Sequence, residues 1–245
     1  NDGRFYNNRG FALNGKRDYD KAIEDFDHAI KLDSNQAMAY NNRGVAFLRK
    51  QLYDEALKDF NRGIKLDSQF WSAYHNRGMA YSGQGRHDKA VEEFSKVIEA
   101  IPDRAVVYKD RGTAYRKLGD YESAVRDLEK AIQLDKNSGP AHADLALLYA
   151  TAEEPSYRDP RKALSLAEMA VKLAGGKSGD MLQNLAAVQH ALNRSQEAVR
   201  TLNKALALDP GNKEYMELLS RWGSPATRTE TSRERSATRP FSNLW

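Results

Sequence analysis

Apolar positions return at helical spacing in two short runs within every 34 residues. In residues 37–70, Tyr40, Gly44 and Phe47 share one face at i, i+4, i+7. Tyr53, Ala56, Phe60, Gly63 and Ile64 mark the face of a second run. Lys50-Gln51 between them reads as a turn, and Leu66-Asp67-Ser68 closes the pair. The pattern predicts two amphipathic helices joined tightly. It recurs in register: Arg9-Gly10, Arg43-Gly44, Arg77-Gly78 and Arg111-Gly112 are 34 residues apart, as are Ala22, Ala56, Ala90 and Ala124. A period of this length means a stack of near-identical units rather than one globule. Function then lies in the surface that the stack presents.

Alignment on the glycines gives units 3–36, 37–70, 71–104 and 105–138. Their closings include Leu32-Asp33-Ser34, Ile101-Pro102-Asp103, Leu134-Asp135-Lys136 and, further on, Leu208-Asp209-Pro210. The aspartates there are expected to cap the following segment and the prolines to end the preceding helix. A fifth unit, 139–178, keeps the frame at Ala146 and Tyr149, but the alanine expected at 158 is displaced to Ala163. Five residues are therefore inserted within 153–160, where Pro155 and Pro160 forbid a continuous helix. Asp159-Pro160 reads as the cap and first residue of the next helix. A sixth unit, 179–212, carries Ala186, Ala198 and Ala205 in register, and 213–222 is expected to be a single helix covering the last face.

Glycine and alanine fit where helices cross, and Phe26, Phe60 and Phe94 are expected to fill the gaps between layers. Gly10, Tyr19, Ala22, Phe26, Ala29 and Leu32-Asp33, echoed down the chain, resemble the tetratricopeptide repeat over roughly 3–222. The Arg-Gly and Glu-Asp-Phe flavour is most similar to bacterial members. The resemblance implies an all-α fold: a right-handed superhelix of six helix-turn-helix repeats with a C-terminal capping helix, its first helices lining a concave groove. Such proteins usually bind extended peptides or partner helices, so a protein or peptide partner is expected.

An acid stands three residues after each alanine, at Asp25, Asp59, Glu93 and Asp127. Units five and six lose arginine and acid together, with Leu145 and Leu185 in one slot and Leu166 and Thr201 in the other. The covariation within one chain predicts ion pairs Arg9–Asp25, Arg43–Asp59, Arg77–Glu93 and Arg111–Asp127 between the two helices of a unit. The alternative is a row of arginines reading phosphates or carboxylates.

Two residues before each glycine slot stand Asn8, Asn42, Asn76, Asp110, Asp144 and Asn184. The resemblance places this slot in the groove, as in the asparagine ladder of O-linked N-acetylglucosamine transferase, whose amides grip a peptide backbone. An amide suits that task because it both donates and accepts. The competing reading is a helix-end or inter-repeat hydrogen bond. Neighbouring groove slots hold Asn7, Asn41, His75 and Lys109, then Phe11, Val45, Met79 and Thr113, then Arg49, Arg116 and Lys117. The fourth unit is thus basic and suited to an acidic segment or a terminal carboxylate. Units five and six are blander, with Ala143, Leu147, Ala187 and Ala191. The carboxylate clamp of chaperone-binding members needs lysine where Asn7 or Asn41 stands and asparagine where Phe11 or Val45 stands, which argues against a chaperone-tail receptor.

Composition narrows the remaining classes. The chain is 40% hydrophobic and 29% charged with net charge +4, and it has no cysteine. That excludes disulfides, thiolate metal sites and cysteine nucleophiles. No apolar run approaches the ~18 residues that span a bilayer. Gly176-Lys177-Ser178 imitates the end of a phosphate loop, but Val171 occupies the earlier glycine position, so a turn between units is the simpler reading. The five histidines lack ligand spacing, and the pairs Glu92-Glu93 and Glu153-Glu154 read as solvated surface. No enzyme, cofactor or metal is expected. Nucleic acid is not expected either, because the RNA-reading helical repeats differ in period and carry basic faces.

Residues 223–245 hold eight Ser or Thr, four Arg and two Glu, a disordered composition. They end on Phe241, Leu244 and Trp245, which read as an aromatic docking motif. Docking of this tail in its own or a neighbour's groove, giving autoinhibition or a homo-oligomer, is a second expectation. A third is that the chain is the recognition part of a larger enzyme or membrane complex. The chain starts at Asn1 rather than Met, and the sequence leaves the compartment open between a cytoplasm and a bacterial periplasm, the latter if a signal peptide preceded Asn1.

Overall fold

The computed structural model describes residues 2–223, which are helical apart from turns and short connections. Six helix pairs follow one another: α1 (Gly3–Gly15) with α2 (Tyr19–Leu32), α3 (Ala37–Arg49) with α4 (Tyr53–Leu66), and α5 (Trp71–Gly83) with α6 (His87–Ala100). Then come α7 (Ala105–Leu118) with α8 (Tyr121–Leu134), α9 (Gly139–Thr151) with α10 (Pro160–Leu173), and α11 (Gly179–Ala191) with α12 (Ser195–Leu208). A thirteenth helix, α13 (Lys213–Gly223), lies against α12. The fold is all-α, as the pattern predicts.

Each pair closes where a small residue meets a large one. A Cβ added to Gly44 would lie 2.6 Å from the Phe60 ring, and one on Gly10 or Gly78 would meet Phe26 or Phe94 as tightly, at 2.8 and 2.6 Å. Those three phenylalanines are fully buried. Further along the residue sizes trade off: Gly112 faces Leu128, while Ala186 stands in the glycine slot of the unit that buries Leu202. Phenylalanine therefore fills space within a unit that glycine leaves, and density is kept by exchanging volume across the crossing.

The turn inside each pair has its own recurring geometry. Arg17, Gln51, Gly85, Gly119 and Asn193 occupy the same slot, and all have φ between 60° and 81°. Glycine enters this left-handed region freely, whereas arginine and glutamine do so at a cost.

The closing aspartates act differently from expectation. Asp33, Asp67 and Asp135 accept from the backbone N–H two residues on, Asn35, Gln69 and Asn137, at 2.9–3.0 Å. They make local Asx turns; α3 and α5, which follow Asp33 and Asp67, have no side-chain cap, and α9, which follows Asp135, is capped by Ser138 instead. Where the chain does cap, Asp159 accepts from Arg161 and Lys162 N–H at 3.1 and 3.0 Å with Pro160 opening α10, as its sequence indicates. The inserted residues form a single 3-10 turn, Pro155–Tyr157, pinned by Tyr157 against Tyr121 with ring centroids 5.7 Å apart.

Candidate binding groove

First helices of successive units touch one another, from α1–α3 through α9–α11, and no second helices of successive units meet as closely. The side on which neighbours approach is the inner side of a curved stack. The first helices thus form a concave wall, and the residues one unit and one position apart on it meet.

Along the floor of that wall the side chains are linked. Asn42 Nδ2 donates to Asn7 Oδ1 at 3.0 Å, and Asn76 Nδ2 donates to Asn41 Oδ1 at 2.9 Å. His75 Nε2 and Asp110 Oδ2 are 2.6 Å apart in the next step. Each link joins residues 35 apart. Lys109 closes on Asp110, and the Thr113 hydroxyl donates to Asp144 at 2.8 Å. Asn41, Asn42 and Asp110 are buried, while Asn76, Asp144 and Asn184 are half-buried and Asn8 is exposed. At Asn42, Asn76 and Asp110 the inter-repeat bond weighed from the sequence is therefore present.

Charge on the floor is balanced within it. Burial pushes the Asp110 carboxyl up, but the His75 hydrogen bond and the Lys109 charge prevail and hold it below its ordinary value. Burial works against the Lys109 ammonium, yet Asp110 and Asp144 on either side hold it above the usual lysine range. Burial raises Asp144 despite Lys109 and Thr113.

Above the floor stand apolar side chains. Phe11 is 65% exposed and Met79 37%, while Val45, Asn7, Thr113 and Arg116 are half-buried, and Arg49 and Lys117 are exposed. Two residues not singled out from the sequence join them: Met38 and Val106, exposed one turn before the ladder on α3 and α7. Their signal was available, since Met38, Asn42 and Val45 fall at i, i+4, i+7.

The arginine column turns to the second helices. Arg43 Nε and Nη2 donate to Asp59 at 2.8 and 2.7 Å, and Arg9–Asp25, Arg77–Glu93 and Arg111–Asp127 repeat the pair at 2.5–3.0 Å. The remaining nitrogen reaches back to the preceding unit: Nη1 of Arg43, Arg77 and Arg111 bonds Asp27, Asn61 and Ser95. Tyrosine rings at Tyr40, Tyr74 and Tyr108 flank these guanidinium groups at 5.1–5.7 Å. Arg43, Arg77 and Arg111 are 15–20% exposed, against 53% for Arg9, which has no preceding unit among the described residues. These arginines are structural staples. A cleft of about 860 Å³ lies beside Arg111–Asp127 and shares no residue with the groove row.

Tetratricopeptide-repeat models match residues 37–70, 72–137 and 179–212, and a TPR-repeat model matches 16–51. Together they cover more than half of the chain. The chain belongs to the tetratricopeptide-repeat (TPR) family. Solved TPR structures share its fold. TTC0263, a thermophilic TPR protein of Thermus thermophilus, is 22% identical, with TM-score 0.69 over 76% of this chain and 98% of its own. PilW, a type IV pilus biogenesis factor, gives 18% identity and TM-score 0.73 over 89% and 98%. YrrB, a TPR protein with an unusual peptide-binding site, gives 21% and 0.50 over 80% and 97%. The curated proteins contain no match.

A TPR stack is a protein–protein interaction scaffold, and TPR proteins bind protein or peptide partners, typically without enzymatic activity. No described helix of this one is long and apolar enough to cross a membrane, and no group of His, Asp and Glu among the described residues is arranged to hold a metal. The tail positions Phe241, Leu244 and Trp245 lie outside the described residues.

Proposed function

We propose that this TPR protein is a non-enzymatic adaptor holding an extended segment of a partner protein along the concave face of units one to four. The observation that carries the reading is a linked polar floor beneath exposed Phe11, Met38, Met79 and Val106. Asn42 and Asn76 each use one amide proton in an inter-repeat bond, which leaves a second for a carbonyl of the segment. Asn7 and exposed Asn8 add donors at the first unit, and Asp110 offers its acceptor at the fourth. Phe11, Val45, Met79 and Lys109 would then select side chains. Isolated apolar side chains on a surface need no explanation, but several along one concave wall mark an interaction site.

Selection of displayed random decapeptides against the protein tests the reading. Selected peptides are expected to bind about tenfold more weakly to Met79→Glu and to the Asn42→Ala/Asn76→Ala pair, and equally well to Lys58→Glu on the second-helix side. Groove variants that retain full affinity, with the Lys58 variant losing it, would move the site to the convex face.

A further inference from the structure

Arg116 continues the groove row on α7, three residues after Thr113 and seven after Lys109. It is half-buried, and its Nε is closed off from solvent with no acceptor. No hydrogen bond or ion pair to its guanidinium is present among the described residues. The charge of Asp144 acts on it, but that carboxylate already accepts from Thr113 and balances Lys109. Burial accordingly lowers the affinity of Arg116 for its own proton. A cation in this state is costly, because it has lost water without gaining a hydrogen-bonded counter-charge.

Across the step from unit three to unit four stands His87, the first residue of α6. Its Nδ1 is also buried without a partner. Burial, then the positive charges of Lys117 and Arg116, hold its imidazole below the ordinary histidine value, and only Asp88 works the other way. The corner is therefore electropositive, as a neighbouring titratable group registers. The start of α6 adds to it, since Arg86 at that position supplies no side-chain cap to the first-turn N–H groups. Half-buried Arg116 and exposed Lys117 at the end of α7 thus share an electropositive corner with His87 at the start of α6.

We propose that this corner receives a carboxylate of the segment held in the groove, with Arg116 as the charge-assisted donor and Lys117 adding charge at the rim. The proposal rests on the groove reading above and gives the segment a direction. Its apolar residues lie over Phe11, Met38 and Met79, and its acidic group lies at the fourth unit. A planar guanidinium matches a carboxylate through two parallel bonds, which an ammonium cannot reproduce.

The test uses the full chain and a synthetic array of decapeptides based on a selected binder. Each position carries Asp, Glu, Asn or Gln in turn, with the C-terminus free or amidated. Binding is expected to fall by about tenfold when one acid becomes its amide, and by a similar factor in Arg116→Gln. The two changes together are expected to cost no more than either alone. Loss on amidation assigns the carboxylate to the C-terminus, and indifference to amidation assigns it to a side chain. Arg116→Lys and Lys117→Gln, read beside helical content, guard against a folding defect and are expected to keep part of the affinity. Binders indifferent to every acid-to-amide change, or an Arg116→Gln affinity within about twofold, overturn the carboxylate corner while leaving the groove intact. An absence of any binder overturns the groove reading itself.

Discussion

Arg43 holds Asp59 through two parallel hydrogen bonds of 2.8 and 2.7 Å, and its third nitrogen bonds Asp27 of the preceding unit. One side chain thus ties both helices of its own unit and the second helix of the unit before. The Asp59 bond, against the opposing effect of burial, holds the guanidinium above its ordinary value.

Removing one partner leaves a buried charge alone, whereas units five and six fill the same slots with Leu145 and Leu166 or Leu185 and Thr201. Arg43→Leu is expected to lower unfolding free energy by about 3 kcal/mol, and Arg43→Leu/Asp59→Leu to recover most of that loss. Denaturant unfolding of the two variants checks it. A double variant as unstable as the single one would show that the pair itself, rather than its uncompensated half, stabilises the junction.

The arginine–acid pairs were legible because both members vary together within one chain and lie in columns of equal period. The third arm was legible in principle too, since Asp27, Asn61 and Ser95 form a polar column of their own. The floor was harder. Asn8, Asn42 and Asn76 stand in one column, but the bonds run diagonally, from Asn42 to Asn7 and from Asn76 to Asn41. That offset depends on how consecutive first helices cross, a rigid-body quantity that no single unit encodes. The closing aspartates misled for a local reason: an Asx turn and a helix cap use the same side chain, and the intervening backbone decides between them.

Gly44 lies where an added Cβ would stand 2.6 Å from Phe60. Gly44→Ala is expected to destabilise by about 1–3 kcal/mol through overpacking. Unit six tolerates Ala186 above Leu202, so Gly44→Ala/Phe60→Leu is expected to be more stable than Gly44→Ala alone. Thermal unfolding of the three proteins decides it. A double variant below Gly44→Ala would mean that the ring is needed for more than volume.

Gln51 has φ 60° in a slot where Gly85 and Gly119 serve units three and four. Its side chain is exposed, so little packing is lost on truncation. Gln51→Gly is expected to stabilise by about 0.5–1 kcal/mol, the left-handed strain relieved exceeding the added freedom of the unfolded chain. Denaturant titration reads the sign directly. Destabilisation would show that the turn gains more from the stiffness of glutamine than it loses to strain.

His87 connects the carboxylate corner to acid stability. Its ordinary value is 6.5, and burial followed by Lys117 and Arg116 lowers it in the fold. The folded state therefore prefers the neutral imidazole. This contribution is whole above the unfolded value and is lost as pH falls from there through the folded one. His87→Gln removes the titration, so between about pH 7.5 and about pH 5.5 the native protein is expected to lose more stability than the variant. Denaturant midpoints at the two pH values give the difference of differences. An equal loss in both proteins would mean that the cations at the end of α7 do not act on His87, and the electropositive corner would lose its independent witness.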